Sequence, residues 1–267
     1  MKARHFIWTL LLTSARLLGA EDDANGPDRA PYPPIANPEA AGRQLAERVR
    51  ISPPAQNAEF TGVLRILTRD DAPREVPVAC TLRVKQTAPG LAAWDAIYRT
   101  QPAPCVSAEV LVVRFHAGHS NQYFFARGDA ASQPLDALPE VRGQDLLTPL
   151  AGSDFWLCDL GLEFLHWPGQ KVLKTEMRRG QVCRVVESRH PAASPTGYAR
   201  VLSWVARPGS DAEGILQAEA YDWQNRQFKE FSLGSFKKVE GEWQLKDMKI
   251  ANLVTRSRTW LEFDLKK

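Results

Sequence analysis

The sequence predicts a mainly β protein with a few helices. Three observations carry that prediction. From Phe60 onward, apolar residues recur with period two over most of the chain, the periodicity of half-buried antiparallel strands. The stretches between them are short and turn-like, among them Arg179-Gly180, Trp223-Gln224-Asn225 and Glu240-Gly241-Glu242. Links that short make neighbouring strands antiparallel. Helical spacing is confined to two places, one ahead of the first strand and one in the middle of the chain.

Taken in order, Lys2, Arg4 and His5 precede the apolar run Phe6 to Leu12, and the small residues Ser14, Ala15, Gly19 and Ala20 follow. That order is the signature of a secretory signal peptide. The run is far shorter than the ~20 residues of a membrane span, so a cleaved leader over residues 1–20 is expected, with a cut after Ala15 as the rival. No cysteine lies near either cut, and no later segment reaches transmembrane length. Residues 21–36 are polar and proline-rich and read as an extended linker. A helix follows from about Pro38 to Arg50. Asn37 suits its N-cap, Pro38 its first position and Glu39 the positive end of its dipole. Ala41, Leu45 and Val49 form one narrow apolar stripe. Residues 21–56 are thus a linker and N-terminal helix, ahead of a domain over 57–267.

Within that domain, Phe60-Gly62-Leu64-Ile66 gives one apolar strand face, and Val76-Val78-Cys80-Leu82-Val84 a cleaner one, with Thr81, Arg83 and Lys85 opposite. Further strands are expected near 91–99, 105–116 and 120–127. Residues 128–150 read as loop with a short helix at most. Ser153 or Asp154 then caps a helix that Pro168-Gly169 stops, with Phe155, Trp156, Leu160, Phe164 and Leu165 on a broad aromatic side. The last third is strand after strand, near 170–178, 181–190, 198–207, 214–222, 226–239, 243–254 and 258–265.

Composition narrows the function. The 267 residues are 44% hydrophobic and 24% charged with a formal net charge of +3, and the basic residues are scattered, so nucleic-acid binding is not expected. The four cysteines, Cys80, Cys105, Cys158 and Cys183, allow three complete disulfide pairings. Their wide spacing argues against zinc, and buried unpaired thiols are the simpler reading. No nucleophile motif, zinc-binding helix or phosphate-cradling glycine loop is present. His116 and His119 lack a nearby acidic or cysteine partner, and Asp154 and Asp159 read as helix capping and solvation. Neither a catalytic centre, nor a metal, nor a cofactor is expected. The eight tryptophans fit core packing, or a cavity between one sheet face and the mid-chain helix.

The segment Pro149-Leu150-Ala151-Gly152-Ser153-Asp154-Phe155-Trp156-Leu157-Cys158-Asp159-Leu160 resembles the outer-membrane lipoprotein-sorting, or LolA-like, family of bacterial envelope proteins. The likeness continues through Gln181 to Ser188, Tyr198 to Val205, Ala220-Tyr221-Asp222, Lys246 to Ile250 and Thr255 to Thr259. The resemblance implies a curved antiparallel sheet forming an unclosed barrel covered by helices, with a cavity that shields acyl chains in the periplasm. Related domains carry lipoproteins, bind phospholipid or sense envelope stress. The implied partners are lipoprotein acyl chains or phospholipid, together with inner- or outer-membrane lipoprotein-transport components. The implied alternative is an envelope-stress sensor or adaptor. From alternation, the wall of such a cavity falls to Leu64, Ile66, Leu82, Val84, Trp94, Leu202 and Trp204. From the mid-chain helix, its lid falls to Phe155, Trp156, Leu160 and Phe164.

Overall fold

A computed structural model describes residues 32–50, 54, 56–85, 93–103, 106–116, 118–192, 195–206, 214–239 and 242–265. The expected leader, residues 21–31 of the linker and Cys105 lie outside the described residues. The first described element is α1 (Pro38–Arg50), the expected span, beginning where Asn37 and Pro38 place its start. The Asn37 side chain accepts from the Ala40 amide at 3.0 Å.

Six strands follow: β1 (Ala58–Leu67), β2 (Arg74–Lys85), β3 (Ala93–Thr100), β4 (Glu109–His116), β5 (Gln122–Arg127) and the short β6 (Glu140–Val141). A mid-chain segment of single turns comes next. After it stand β7 (Gly169–Arg178), β8 (Gln181–Arg189), β9 (Arg200–Ala206), β10 (Ile215–Tyr221), β11 (Gln227–Leu233), β12 (Phe236–Val239), β13 (Glu242–Leu245), β14 (Asp247–Asn252) and β15 (Ser257–Phe263). Thirteen of these form one antiparallel sheet in the order β6-β5-β4-β3-β2-β1-β15-β14-β11-β10-β9-β8-β7. β6 and β7 are its two edges and do not pair with each other. β12 and β13 make a separate hairpin. Chain neighbours are sheet neighbours almost throughout, as short turns require. The exceptions are β1, which pairs with the last strand, β15, β11, which pairs with β14 across the β12–β13 hairpin, and β6 and β7, which the mid-chain segment separates.

Three expectations are corrected. The single strands expected over 226–239 and 243–254 are each broken in two. At the first break a side chain on Gly234 would collide with the Asp247 carboxylate, which bonds Ser235 through both its amide and its hydroxyl. The break is therefore a turn that carries its own acceptor, the Asp247 carboxylate.

The long mid-chain helix does not form either. Its one α-turn is α2 (Leu157–Leu160), followed by a 3-10 turn over Glu163–His166. A helix starting at Ser153 needs the amides after it for its own ladder. Instead the backbone pairs Leu150 with Phe155 and Leu157 with Thr148, and the Trp156 amide donates to the Asp159 carboxylate at 2.8 Å. After Gly161, Leu162 sits at φ 51, in the left-handed region, which ends a right-handed helix. Gly161 lies against the ring of Tyr123 with no room for a Cβ. The segment is moulded to the sheet at both ends of its one helical turn.

Two apolar clusters meet at this segment. The larger one joins β1 to β5 and the C-terminal strands to Leu150, Phe155, Leu157 and Leu160. The other joins Leu45, Ala46 and Val49 of α1 to β7 through β10, with Cys158, Phe164, Leu165 and Tyr198. Cys80, Cys158 and Cys183 are buried free thiols.

Candidate functional site

An apolar cavity of about 80 Å³ lies between the sheet and the mid-chain segment. Phe60, Cys80, Leu82 and Tyr98 line it from β1 to β3, while Phe155, Leu160, Leu162 and Phe164 line it from the mid-chain segment. Val201, Ala218, Ala220, Phe231, Met248 and Ile250 add walls from the C-terminal strands. A cavity of about 150 Å³ lined by Leu, Ile and Phe stays dry and admits benzene. This one is about half that size, so the space is apolar and nearly filled.

Of the residues that alternation and the mid-chain pattern single out, Leu82, Phe155, Leu160 and Phe164 line the cavity. Leu64 and Ile66 are buried on the same side of β1 as Phe60, packed in the larger cluster. Trp94 is buried with its ring stacked on Phe115 at 4.8 Å, beside the half-buried Val84. Leu202 and Trp204 lie on the face of β9 opposite the cavity-lining Val201. There the Trp204 indole donates to Glu176 and Arg178 stands over its ring at 4.7 Å. Trp156 is half-buried outside the cavity wall, stacked on Tyr198 at 4.9 Å.

The polar anchoring of the mid-chain segment was not foreseen from sequence. Lys229 of β11 is 2% exposed and lines the cavity together with Asp159. Its ammonium donates to the Asp154 carbonyl at 2.8 Å and to Asp159 Oδ2 at 3.3 Å. It also lies 3.4 Å from the centre of the Trp156 ring, a cation–π contact in a desolvated setting. Burial pulls its pKa down, and Asp159 opposes that shift. Tyr198 donates to Asp159 Oδ1 at 2.6 Å. Burial, then the Asp159 charge, pushes the Tyr198 hydroxyl well above the ordinary range. Asp159 does accept from a helix-start amide, as its position in sequence suggests, but its side chain is only 14% exposed.

Asp154, by contrast, is not a cap. It is 7% exposed, and its carboxylate accepts from Ser257 Oγ and, at 2.9 Å, from Thr259 Oγ1 of β15. The Asp154 amide in turn donates to Thr259 Oγ1 at 3.0 Å. The two stretches Gly152-Ser153-Asp154 and Ser257-Arg258-Thr259 are therefore one contact in space.

Further anchors complete the strap. Glu109 Oε2 on β4 accepts from the Ala151 amide at 2.6 Å, which holds Ala151 at its positive φ of 52. Asn121 donates to the Gly161 carbonyl at 2.7 Å, and Tyr123 to Glu163 at 2.9 Å. Burial pushes the Glu163 carboxyl up to about 7, with the Tyr123 hydrogen bond and Arg50 acting the other way. His166 lies 3.1 Å from the Arg50 guanidinium. Burial, then that positive charge, takes its imidazole down to about 3. Among the described residues, no group of three or more His, Cys, Asp and Glu side chains is arranged to hold a metal ion. Lys229, Glu109 and Asn121 hold backbone carbonyls and amides of the segment, while Ser257, Thr259, Tyr123 and Tyr198 hold its carboxylates.

A family model described only as an uncharacterized protein matches residues 134–265, the mid-chain segment and all the strands after it. No curated protein matches the chain in sequence. Three solved structures resemble it in fold. A DUF1329 family protein from Desulfovibrio piger aligns with a TM-score of 0.65 at 15% identity, covering 86% of this chain and 92% of its own. A domain described as an outer membrane lipoprotein-sorting protein, from Vibrio parahaemolyticus, gives 0.62 at 17% identity, over 85% of this chain and 92% of its own. A LolA superfamily protein from Nitrosomonas europaea gives 0.54 at 17% identity, over 86% and 93%. At such identities the likeness is one of fold, and it spans nearly the whole of each relative.

Proposed function

We propose that this chain is a periplasmic carrier that shields an apolar ligand, an acyl chain of a lipoprotein or a phospholipid, in an unclosed β-barrel during lipoprotein sorting. The observation that supports this reading is the apolar cavity between the sheet and the mid-chain segment, in a fold shared with lipoprotein-sorting relatives. Moving an acyl chain through water costs about 0.8 kcal/mol per methylene. A shield needs apolar wall area and a cover that moves, and no bond has to be made or broken. At about 80 Å³ the cavity is too small for an acyl chain. Loading requires residues 153–168 to lift from the sheet, carrying Phe155, Leu160 and Phe164 with them. The leader over residues 1–20 supplies export, and residues 57–267 act as the carrier domain.

The test is organic extraction and native mass spectrometry of the purified chain. Co-purifying phospholipid or lipopeptide at one per chain is expected. A chain that is ligand-free and also fails to take up a fluorescent fatty acid refutes the carrier reading. A second reading, an envelope-stress sensor or adaptor that binds a protein, draws on the small size of the cavity. It predicts a ligand-free chain whose mid-chain segment stays protected from hydrogen exchange in the presence of lipid.

A further inference from the structure

We propose that one rim of the sheet is a membrane-docking surface, formed by three adjacent hairpin turns that press into a bilayer bearing anionic lipid headgroups. The six strands β2-β1-β15-β14-β11-β10 are consecutive in the sheet. Their register brings the β1–β2, β14–β15 and β10–β11 turns to the same end. Leu67 pairs with Arg258, and Lys229 pairs with Asn252. Successive turns therefore stand two strand spacings apart, about 10 Å. The Leu253 amide donates to the Phe228 carbonyl at 2.7 Å and ties two of the turns together.

Seven large apolar side chains are exposed among the described residues, and four of them are on this rim: Leu67, Trp223, Leu253 and Val254. Trp223 is 58% exposed and Val254 75%. These are built positions. The Asp222 carboxylate accepts from the Gln224 and Arg226 amides at 2.9 Å each. The Asn252 side chain accepts from the Val254 and Thr255 amides at 3.1 Å. These two turns thus spend a polar side chain on their own backbone and leave Trp223, Leu253 and Val254 exposed.

The surroundings select the partner. Arg256 and Arg258 are exposed and have no carboxylate partner among the described residues. Exposed Gln224, Arg226, Thr255 and Arg256 separate the apolar tips. The β1–β2 turn adds Arg69, paired with Asp70, and Asp71, bonded to Thr68, and Arg226 is paired with Asp222, so Arg256 and Arg258 are the charges left to meet a headgroup. A protein interface buries a core depleted of charge, whereas here charge and apolar tips alternate. The headgroup layer of a bilayer accepts such a mixture. Tryptophan prefers that depth, and arginine is drawn to anionic lipid.

The experiment floats the purified chain through a density gradient with vesicles of phosphatidylcholine, with or without phosphatidylglycerol. The expected result is flotation that increases with phosphatidylglycerol. Paired Trp223→Asp and Val254→Asp substitutions lower the bound fraction roughly tenfold. Paired Arg256→Glu and Arg258→Glu substitutions abolish the preference for phosphatidylglycerol. All four side chains are exposed, so circular dichroism of the variants should match the parent. If a variant unfolds, quenching of tryptophan by brominated phospholipid decides instead, since Trp223→Phe should remove most of it. No flotation, or equal flotation of parent and variants, overturns the proposal. So does a concentration-dependent dimer broken by the same substitutions in the absence of flotation. The proposal is independent of ligand carriage, because an Ala218→Leu variant with its cavity filled should float like the parent.

Discussion

Lys229 and Asp159 form an ion pair at the wall of an apolar cavity, with Nζ 3.3 Å from Oδ2 and the lysine 2% exposed. The pair links the central region of the sheet to the only α-turn of the mid-chain segment. Removing one member of a buried pair leaves an uncompensated charge, at a cost of about 3–5 kcal/mol. Asp159→Ala should therefore shift the urea midpoint strongly. Lys229→Met combined with Asp159→Asn should recover most of the loss, because no charge then remains buried. A cost below about 0.5 kcal/mol for Asp159→Ala, the ordinary size for a surface substitution, would show that the pair does not hold the segment.

Asp154 makes the second anchor, and its effect should be local. Asp154→Ala leaves Ser257 and Thr259 short of their acceptor in a buried place, at about 1–3 kcal/mol per orphaned group. Hydrogen exchange should quicken in residues 150–160 and at the start of β15, with β3 and β4 unchanged. Uniform exchange across the sheet would assign Asp154 to global stability instead of to the cover.

Much of the fold was legible in the sequence because each strand is buried differently on its two faces. The β2 alternation predicts its inward residues, and Asn37 and Pro38 predict where α1 begins. The mid-chain segment was not legible. It is packed on several sides, so its apolar residues carry no single period, and the hydrogen bonds that anchor it come from β4, β5, β11 and β15. β9 failed differently: Val201, Leu202, Trp204 and Val205 are apolar on both faces, so alternation could not say which face meets the cavity. Lys229 did leave a signal. It shares a strand face with Phe231 and Leu233, and a lysine in that register calls for a buried partner. The exposure of Trp223 left none, since a tryptophan in a turn reads the same whether it folds back or points out.

Filling the cavity separates ligand binding from stability. Ala218 and Ala220 both line it, and Ala218→Leu adds three carbons to a space of about 80 Å³. Overpacking commonly costs about 1–3 kcal/mol where no void exists, and much less where one does. The expected outcome is a thermal midpoint close to that of the parent, with uptake of a fluorescent fatty acid reduced roughly tenfold. Undiminished uptake would move the ligand out of this cavity.

The pH dependence of stability should hold two opposed slopes. Glu163 titrates near 7 in the fold against an ordinary 4.5. The folded state therefore holds a proton that the unfolded chain releases, so the stabilisation is complete below about 4.5 and is lost as the pH rises through 7. His166 titrates near 3 against an ordinary 6.5. Its contribution is present above 6.5 and is lost as the pH falls through 3. Between 4.5 and 6.5 the two oppose each other, each with a slope of at most about 1.4 kcal/mol per pH unit. Urea unfolding of the parent should therefore vary little across that interval. Glu163→Gln keeps an acceptor for Tyr123 and removes one slope, so this variant should weaken steadily as the pH falls from 6.5. His166→Gln removes the other, so that variant should gain stability as the pH falls from 7 towards 4.5. Parallel curves for the parent and Glu163→Gln would mean that this carboxyl is already ionised in the fold, and that its hydrogen bond with Tyr123 offsets its burial.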